Sequence, residues 1–227
     1  MIPQQESIYA RSLYCGYKDH NLIPNRDTQC YNEIKDEPTL SSILCVAYAY
    51  GAVPDYRLDG IHRMKDDSLR AKTLVCAYKH GMPFDYDDHI FGHFCETEYT
   101  RLLLSAYYQN ALIPNYDLHR IHDIQESVNR FPILSLGYKK GMVMDYKTHR
   151  VGDLPINNYL PGALYKYPRE EVLIAAYKSG NNVDWISHEL YLLRLEAKAT
   201  IRRELTQCCM SDDEFDLFQR IKMRHNL

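Results

Sequence analysis

The chain has 227 residues, 45% of them hydrophobic and 25% charged, enough for a sizeable core in one elongated domain or two small ones. A net charge of −3 with a pI near 6.4 argues against nucleic acid as a partner. Apolar runs such as Val172–Tyr177 are far too short to span a bilayer, so no membrane partner is expected. The seven cysteines form no C-x-x-C pair, and the start has no basic end leading into an apolar block. Free thiols in a reducing, cytoplasmic setting are therefore expected.

A repeat organises the sequence. An acidic or amide residue in front of an aromatic or basic one stands at Asn25, Asp55, Asp85, Asn115, Asp145 and Asp184, at intervals of 30, 30, 30, 30 and 39. Other columns keep the same register. Leu44, Leu74, Leu104, Leu134 and Leu173 form one; Tyr48, Tyr78, Tyr108, Tyr138 and Tyr177 form another. Asn21, Gly51, Gly81, Ala111, Gly141 and Gly180 form a third. Self-similarity at a fixed period of this size marks a repeat architecture.

In chain order, each copy opens with an amphipathic helix whose leucine and tyrosine lie on one stripe. The Gly, Asn or Ala column closes it, since Gly and Asn tolerate the left-handed conformation that ends helices. The Asp or Asn anchor then caps a second, longer helix. That helix buries the aromatic after the anchor and two apolar columns, Tyr31, Ile61, Phe91, Ile121, Val151, Leu190 and Ile34, Met64, Phe94, Ile124, Leu154, Leu193. One pair cannot bury both stripes alone, so the copies stack. The last interval holds nine extra residues, and Pro155, Pro161, Gly162 and Pro168 mark an insertion loop at about 152–168. Beyond Trp185 a helical stretch leads to a C-terminal helical cap, 204–227, which contains a capping box from Ser211 to Glu214. The repeat array is expected to occupy 1–203.

The stretch "LIAAYKSGNNVDWIS" (173–187) resembles the second half of an ankyrin repeat, and "LVCAYKHGMPFDYD" (74–87) and "LSLGYKKGMVMDYK" (134–147) are similar. The likeness covers roughly residues 10–195, one half-repeat at a time. The other half departs: no T-P-L-H precedes the first helix, and the period is shorter than the usual 33. The resemblance implies an all-α, ankyrin-like solenoid of about six helix pairs that binds a partner protein. It places the binding face on the helix and turn that line the concave side. The divergence of the copies suggests a bacterial effector or a viral host-interaction protein, acting in the host cytoplasm if exported.

The histidines invite a sharper reading. His89, His119, His149 and His188 share one column with Gln29 and Asp59. Neighbouring copies lie a helix-packing distance of about 8–10 Å apart, wide for two imidazoles on one metal, so a structural column is expected. The exposed face of the capped helix is expected to carry the partner contacts. Its candidates are His89 and His93, then His119, His122 and Asp123, then His149. Arg57 and Asp87 stand at the helix entrance, and Tyr86, Tyr116 and Tyr146 stand directly after the anchors. Most of these tyrosines read as core, but tyrosine is also favoured at interface hot spots.

Two alternatives remain. The pair His122-Asp123, with His89 and Asp153, has the residue types of an all-helical HD-type metal-dependent phosphohydrolase. An adaptor binding only copies of itself is the other. No nucleophile motif, phosphate-binding loop or cofactor motif is present in the sequence, and Cys208-Cys209 has no charge nearby to activate it.

Overall fold

The structure, a computed structural model, describes residues 4–20, 22–89, 94–110, 112–156 and 167–182, with isolated positions between 184 and 200. It is all-helical, with no strand among the described residues. No described helix is long and apolar enough to cross a membrane. The chain divides into two compact units, Met1–Leu112 and Ile113–Leu227. The boundary expected at 203/204, the C-terminal cap and most of the insertion loop lie outside the described residues.

The first unit contains α1 (Gln4–Asp19), the single turn α2 (Arg26–Gln29), α3 (Glu37–Ala49), α4 (Asp67–Lys79) and α5 (Glu96–Gln109). Helix α1 packs on α3, α3 on α4 and α4 on α5. Their shared interior is the predicted stripe: Leu44, Ala47 and Tyr48 of α3, Leu74, Ala77 and Tyr78 of α4, with Leu13 and Tyr17 of α1. Each fully buried leucine contributes about 2 kcal/mol. In the second unit α6 (Ser127–Lys139) packs on α7 (Pro168–Lys178) through Leu134, Tyr138, Leu173 and Tyr177.

Helix starts follow local chemistry. The Asp36 carboxylate accepts from the Thr39 amide at 3.0 Å, and Asp66 accepts from Leu69 at 3.0 Å, pairing donors that a helix leaves unbonded in its first turn. The ends are equally regular. Gly141 takes φ 92°, a conformation L-residues avoid, and the Met142 amide returns to the Gly137 carbonyl at 3.0 Å.

The expected second helix does not form. Five of the anchors do cap the next segment: Asp55 Oδ1 accepts from the Leu58 amide at 2.8 Å, Asp85 from Asp88 at 3.0 Å, Asn115 from Leu118 at 2.8 Å, Asp145 from Thr148 at 2.9 Å and Asp184 from Ser187 at 2.9 Å. Only one turn ensues, because the fifth residue after the anchor flips to positive φ: Cys30 at 39°, Gly60 at 76°, Arg120 at 45° and Arg150 at 53°. A left-handed residue ends a right-handed helix. The chain continues as a 3-10 turn at Tyr31–Glu33, Ile61–Arg63, Ile121–Asp123 and Val151–Asp153. The two apolar columns are nonetheless buried, through Ile61, Met64, Ile121, Ile124, Val151 and Leu154.

A second correction concerns α5. Tyr108 and Leu104 were expected in its core stripe, but Tyr107 and Leu103 are the fully buried pair, and Tyr108 is 67% exposed. The helix begins one residue early for its register and closes without glycine. Asn110 leaves in an extended conformation, φ −99°, ψ 144°. A deletion before the helix and an insertion after it cancel, so the 30-residue period conceals the slip.

Candidate interaction surface

The turns after α1, α3, α4, α6 and α7 are each held by a polar joint. In the second unit the Tyr138 hydroxyl meets His149 Nδ1 at 2.8 Å, and the Asp145 amide donates to the same nitrogen at 3.3 Å. Tyr177, His188 and the Asp184 amide repeat this at 2.8 and 3.2 Å. In the first unit Tyr78 meets His89 Nδ1 at 2.5 Å. The two earlier copies use other acceptors. Tyr48 donates to Asp59 Oδ2 at 2.8 Å, as does the Asp55 amide. Tyr17 donates to Gln29 Oε1, which also accepts from the Asn25 amide at 2.6 Å. Imidazole, carboxylate and carboxamide thus do one job: they accept a hydrogen bond from a helix tyrosine and from the turn backbone. A neutral imidazole accepting at Nδ1 carries its proton on Nε2.

Electrostatics follow burial. Desolvation pushes His89, His119, His149 and His188 below the ordinary histidine range, and raises the hydroxyls of Tyr78, Tyr138 and Tyr177. Asp59 receives Arg26 from the preceding turn, Nε to Oδ1 at 2.7 Å, so its buried charge is paired. Aromatic contacts link successive copies: Tyr56 lies 4.6 Å from the His89 ring, Tyr116 4.3 Å from His149 and Tyr146 5.1 Å from His188.

A column of buried arginines was missed in the sequence. Arg70 donates to the Met64 carbonyl at 3.2 Å, Arg130 to those of Ile124 and Gln125 at 3.0 and 3.2 Å, and Arg169 to that of Leu154 at 2.9 Å. Each occupies the same position of its helix and secures the carbonyls that end the preceding 3-10 turn. The signal was the column itself, an arginine standing eight residues before the helix tyrosine at Arg70, Arg130 and Arg169.

These joints fix an extended segment between each helix and its anchor, where side chains alternate between inside and outside. Met142 points in and is buried; Val143 points out and is 80% exposed. The outward position is apolar in every copy but the last, where it is the exposed Asn182: Ile23 at 80% and Val53 at 78% in the first unit, Ile113 at 58% and Val143 in the second. Pro83 occupies the same exposed place in its copy. Leu58 and Leu118, on the capped turns, add further exposed apolar surface.

The residues predicted to bind a partner divide sharply. His89, His119, His149 and Tyr116 are buried, which corrects the expectation that their column lies on an exposed helix face; the helix that would have carried it is a single turn folded inward onto the tyrosines. Tyr86 and Tyr146 are half-buried, with Tyr146 donating to Glu189 at 3.1 Å. Arg57 and Asp87 are exposed, and Arg57 pairs with Asp88. His122 and Asp123 are exposed neighbours, Nε2 to Oδ1 3.3 Å, and Asp123 also meets Arg120. His93 lies outside the described residues.

The constellation of an HD-type site is not assembled among the described residues. No group of three or more His, Cys, Asp or Glu there is arranged to hold a metal. His89 is committed to Tyr78, and Asp153 pairs with Arg150 at 2.7 Å. Comparison of the chain with family models, with curated proteins and with solved structures gives no match.

Proposed function

We propose that the chain is a divergent, ankyrin-like helical-repeat scaffold that binds a partner protein through the outward aliphatic residues of its helix-to-anchor segments. The observation carrying this reading is the recurrence of Ile23, Val53, Ile113 and Val143 at one repeat position, 58–80% exposed. Isolated exposed aliphatics need no explanation, whereas an exposed apolar residue that recurs at one repeat position, at Ile23 and Val53 in the first unit and at Ile113 and Val143 in the second, offers each unit a matching apolar contact. Arg57 and Asp87, beside these segments, supply polar contacts at the edge of such a surface. The shared Gly-terminated helix supports the ankyrin-like assignment, and the reduction of the second helix to a turn is the main departure from it.

A purely conformational role for the column is the competing explanation, since β-branched residues favour extended backbone. Replacing Val53 and Val143 together by threonine separates the two. Threonine keeps the branching and the shape but exchanges a methyl for a hydroxyl. Affinity capture with the wild-type chain and with this variant, at matched thermal stability, should show the partner lost from the variant. A partner retained at full strength would place binding elsewhere. Concentration-dependent association of the purified chain would identify the partner as a second copy.

A further inference from the structure

In the second unit α6 and α7 border an open groove of about 350 Å³. Ile174 and Ala175 of α7 give it an apolar floor. Ser135 and Lys139 of α6, with Glu171 and Lys178 of α7, give it polar walls. None of these residues belongs to the buried joints or to the aliphatic column. Pro132, which has no amide to donate, interrupts the α6 ladder within a turn of Ser135.

Ser135 is only 7% exposed and lines the groove, yet its hydroxyl makes no hydrogen bond among the described residues. The hydroxyls of Ser42, Thr73 and Ser179 instead turn back to the carbonyl four residues earlier, at 2.8 to 2.9 Å. A buried hydroxyl left so calls for a partner. Glu171 and Lys139 line opposite walls, and among the described residues neither has an ion-pair partner. Burial holds the Glu171 carboxylate above the ordinary glutamate range, against the pull of Lys139.

The charges are ordered along the groove. Lys139 and Lys178 each follow a joint tyrosine and are the last residues of α6 and α7. Glu171 stands seven residues before Lys178, about 10 Å along the helix axis. Long side chains lean towards the helix N-terminus, which brings both ammonium groups nearer to Glu171.

We propose that this groove binds a small zwitterion of dipeptide size, its carboxylate received by Lys139 and Lys178, its ammonium by Glu171 and its carbonyl by the Ser135 hydroxyl. An extended two-residue chain spans about 7 Å, which fits the interval between the acid and the leaning lysines. Ile174 and Ala175 take up a small aliphatic side chain. A purely anionic ligand would meet Glu171, and a purely cationic one would meet two lysines. Only a ligand with both charges is complemented at both ends, and the opposite signs fix the direction in which it lies.

The test titrates the full isotope-labelled chain with the dipeptide glycyl-leucine and follows backbone amide shifts by NMR. Saturable shifts are expected at Ser135, Lys139, Glu171 and Lys178. N-acetylated glycyl-leucine and glycyl-leucine amide should each bind about fivefold more weakly, the worth of one partly exposed ion pair. Glu171→Gln should bind the free and N-acetylated forms equally. Lys139→Gln with Lys178→Gln should bind the free and amidated forms equally. No saturable shift at these amides would overturn the proposal, as would equal binding of the free and blocked forms by the wild type. Discrimination between free and N-acetylated forms that survives Glu171→Gln would overturn it too.

Discussion

The hydroxyl of Tyr138 and Nδ1 of His149 meet at 2.8 Å inside the second unit, and Tyr177 and His188 repeat the joint at the same distance one copy later. The histidine is therefore a fastener between a helix and the turn after it. Tyr138→Phe removes one buried hydrogen bond and should cost about 1–2 kcal/mol. His149→Ala removes the acceptor for both the tyrosine and the Asp145 amide, forfeits the Tyr116 contact and leaves a void. It should cost about 3 kcal/mol or more. Urea unfolding of both variants checks the order.

The same joints make stability sensitive to acid. An unfolded histidine gains a proton as pH falls through about 6.5. The buried rings of His89, His119 and His149 and the half-buried ring of His188 resist it to lower pH, chiefly because burial disfavours the charge. Below about 6.5 the unfolded chain thus binds more protons, and stability declines with falling pH until the folded rings titrate. Gln29 already serves in the same column, accepting from Tyr17 and the Asn25 amide. His149→Gln should keep the hydrogen bonds and reduce the slope of urea midpoint against pH between about 7.5 and 5.

Arg130 is buried in the second unit and binds two backbone carbonyls with one guanidinium nitrogen, Nη1. Arg130→Met preserves bulk but leaves both carbonyls without that donor, so a loss of about 2–3 kcal/mol is expected. Arg130→Lys should recover only part of it, because an ammonium lacks the second nitrogen, Nη2, that stands 3.8 Å from the Asp153 carboxylate. Thermal denaturation of the pair measures the difference. Equal melting temperatures for wild type and Arg130→Met would contradict the role.

Much of the local architecture was legible in the sequence. The leucine and tyrosine columns identified the buried stripe, glycine marked the helix exits, and the Asp and Asn anchors do cap the segment after them. The capped segment was read as a helix because Arg120 and Arg150 give no outward sign of positive φ; glycine at Gly60 was the sole hint. The histidine column was assigned to an exposed face on that mistaken helix, although its alternation with Gln29 and Asp59 is what a shared acceptor role produces. The slip in α5 was hidden because an insertion cancelled a deletion, and the adjacent Tyr107 and Tyr108 left the register ambiguous. The buried arginines are not legible from the sequence because a charged residue in an amphipathic helix ordinarily faces water. The aliphatic column Ile23, Val53, Ile113, Val143 was present to be read, but it belonged to neither helical stripe.

Partner binding through that aliphatic column is tested most directly by site-specific photo-crosslinking. A photoreactive amino acid placed at Val53 or Val143, with an exposed control at Lys72 on the outer side of α4, would be irradiated in a lysate containing the partner. Binding through the column predicts one shared protein adduct from positions 53 and 143 and none from 72. An adduct from position 72 alone, or from none of the three under conditions where the wild-type chain captures its partner, would contradict it.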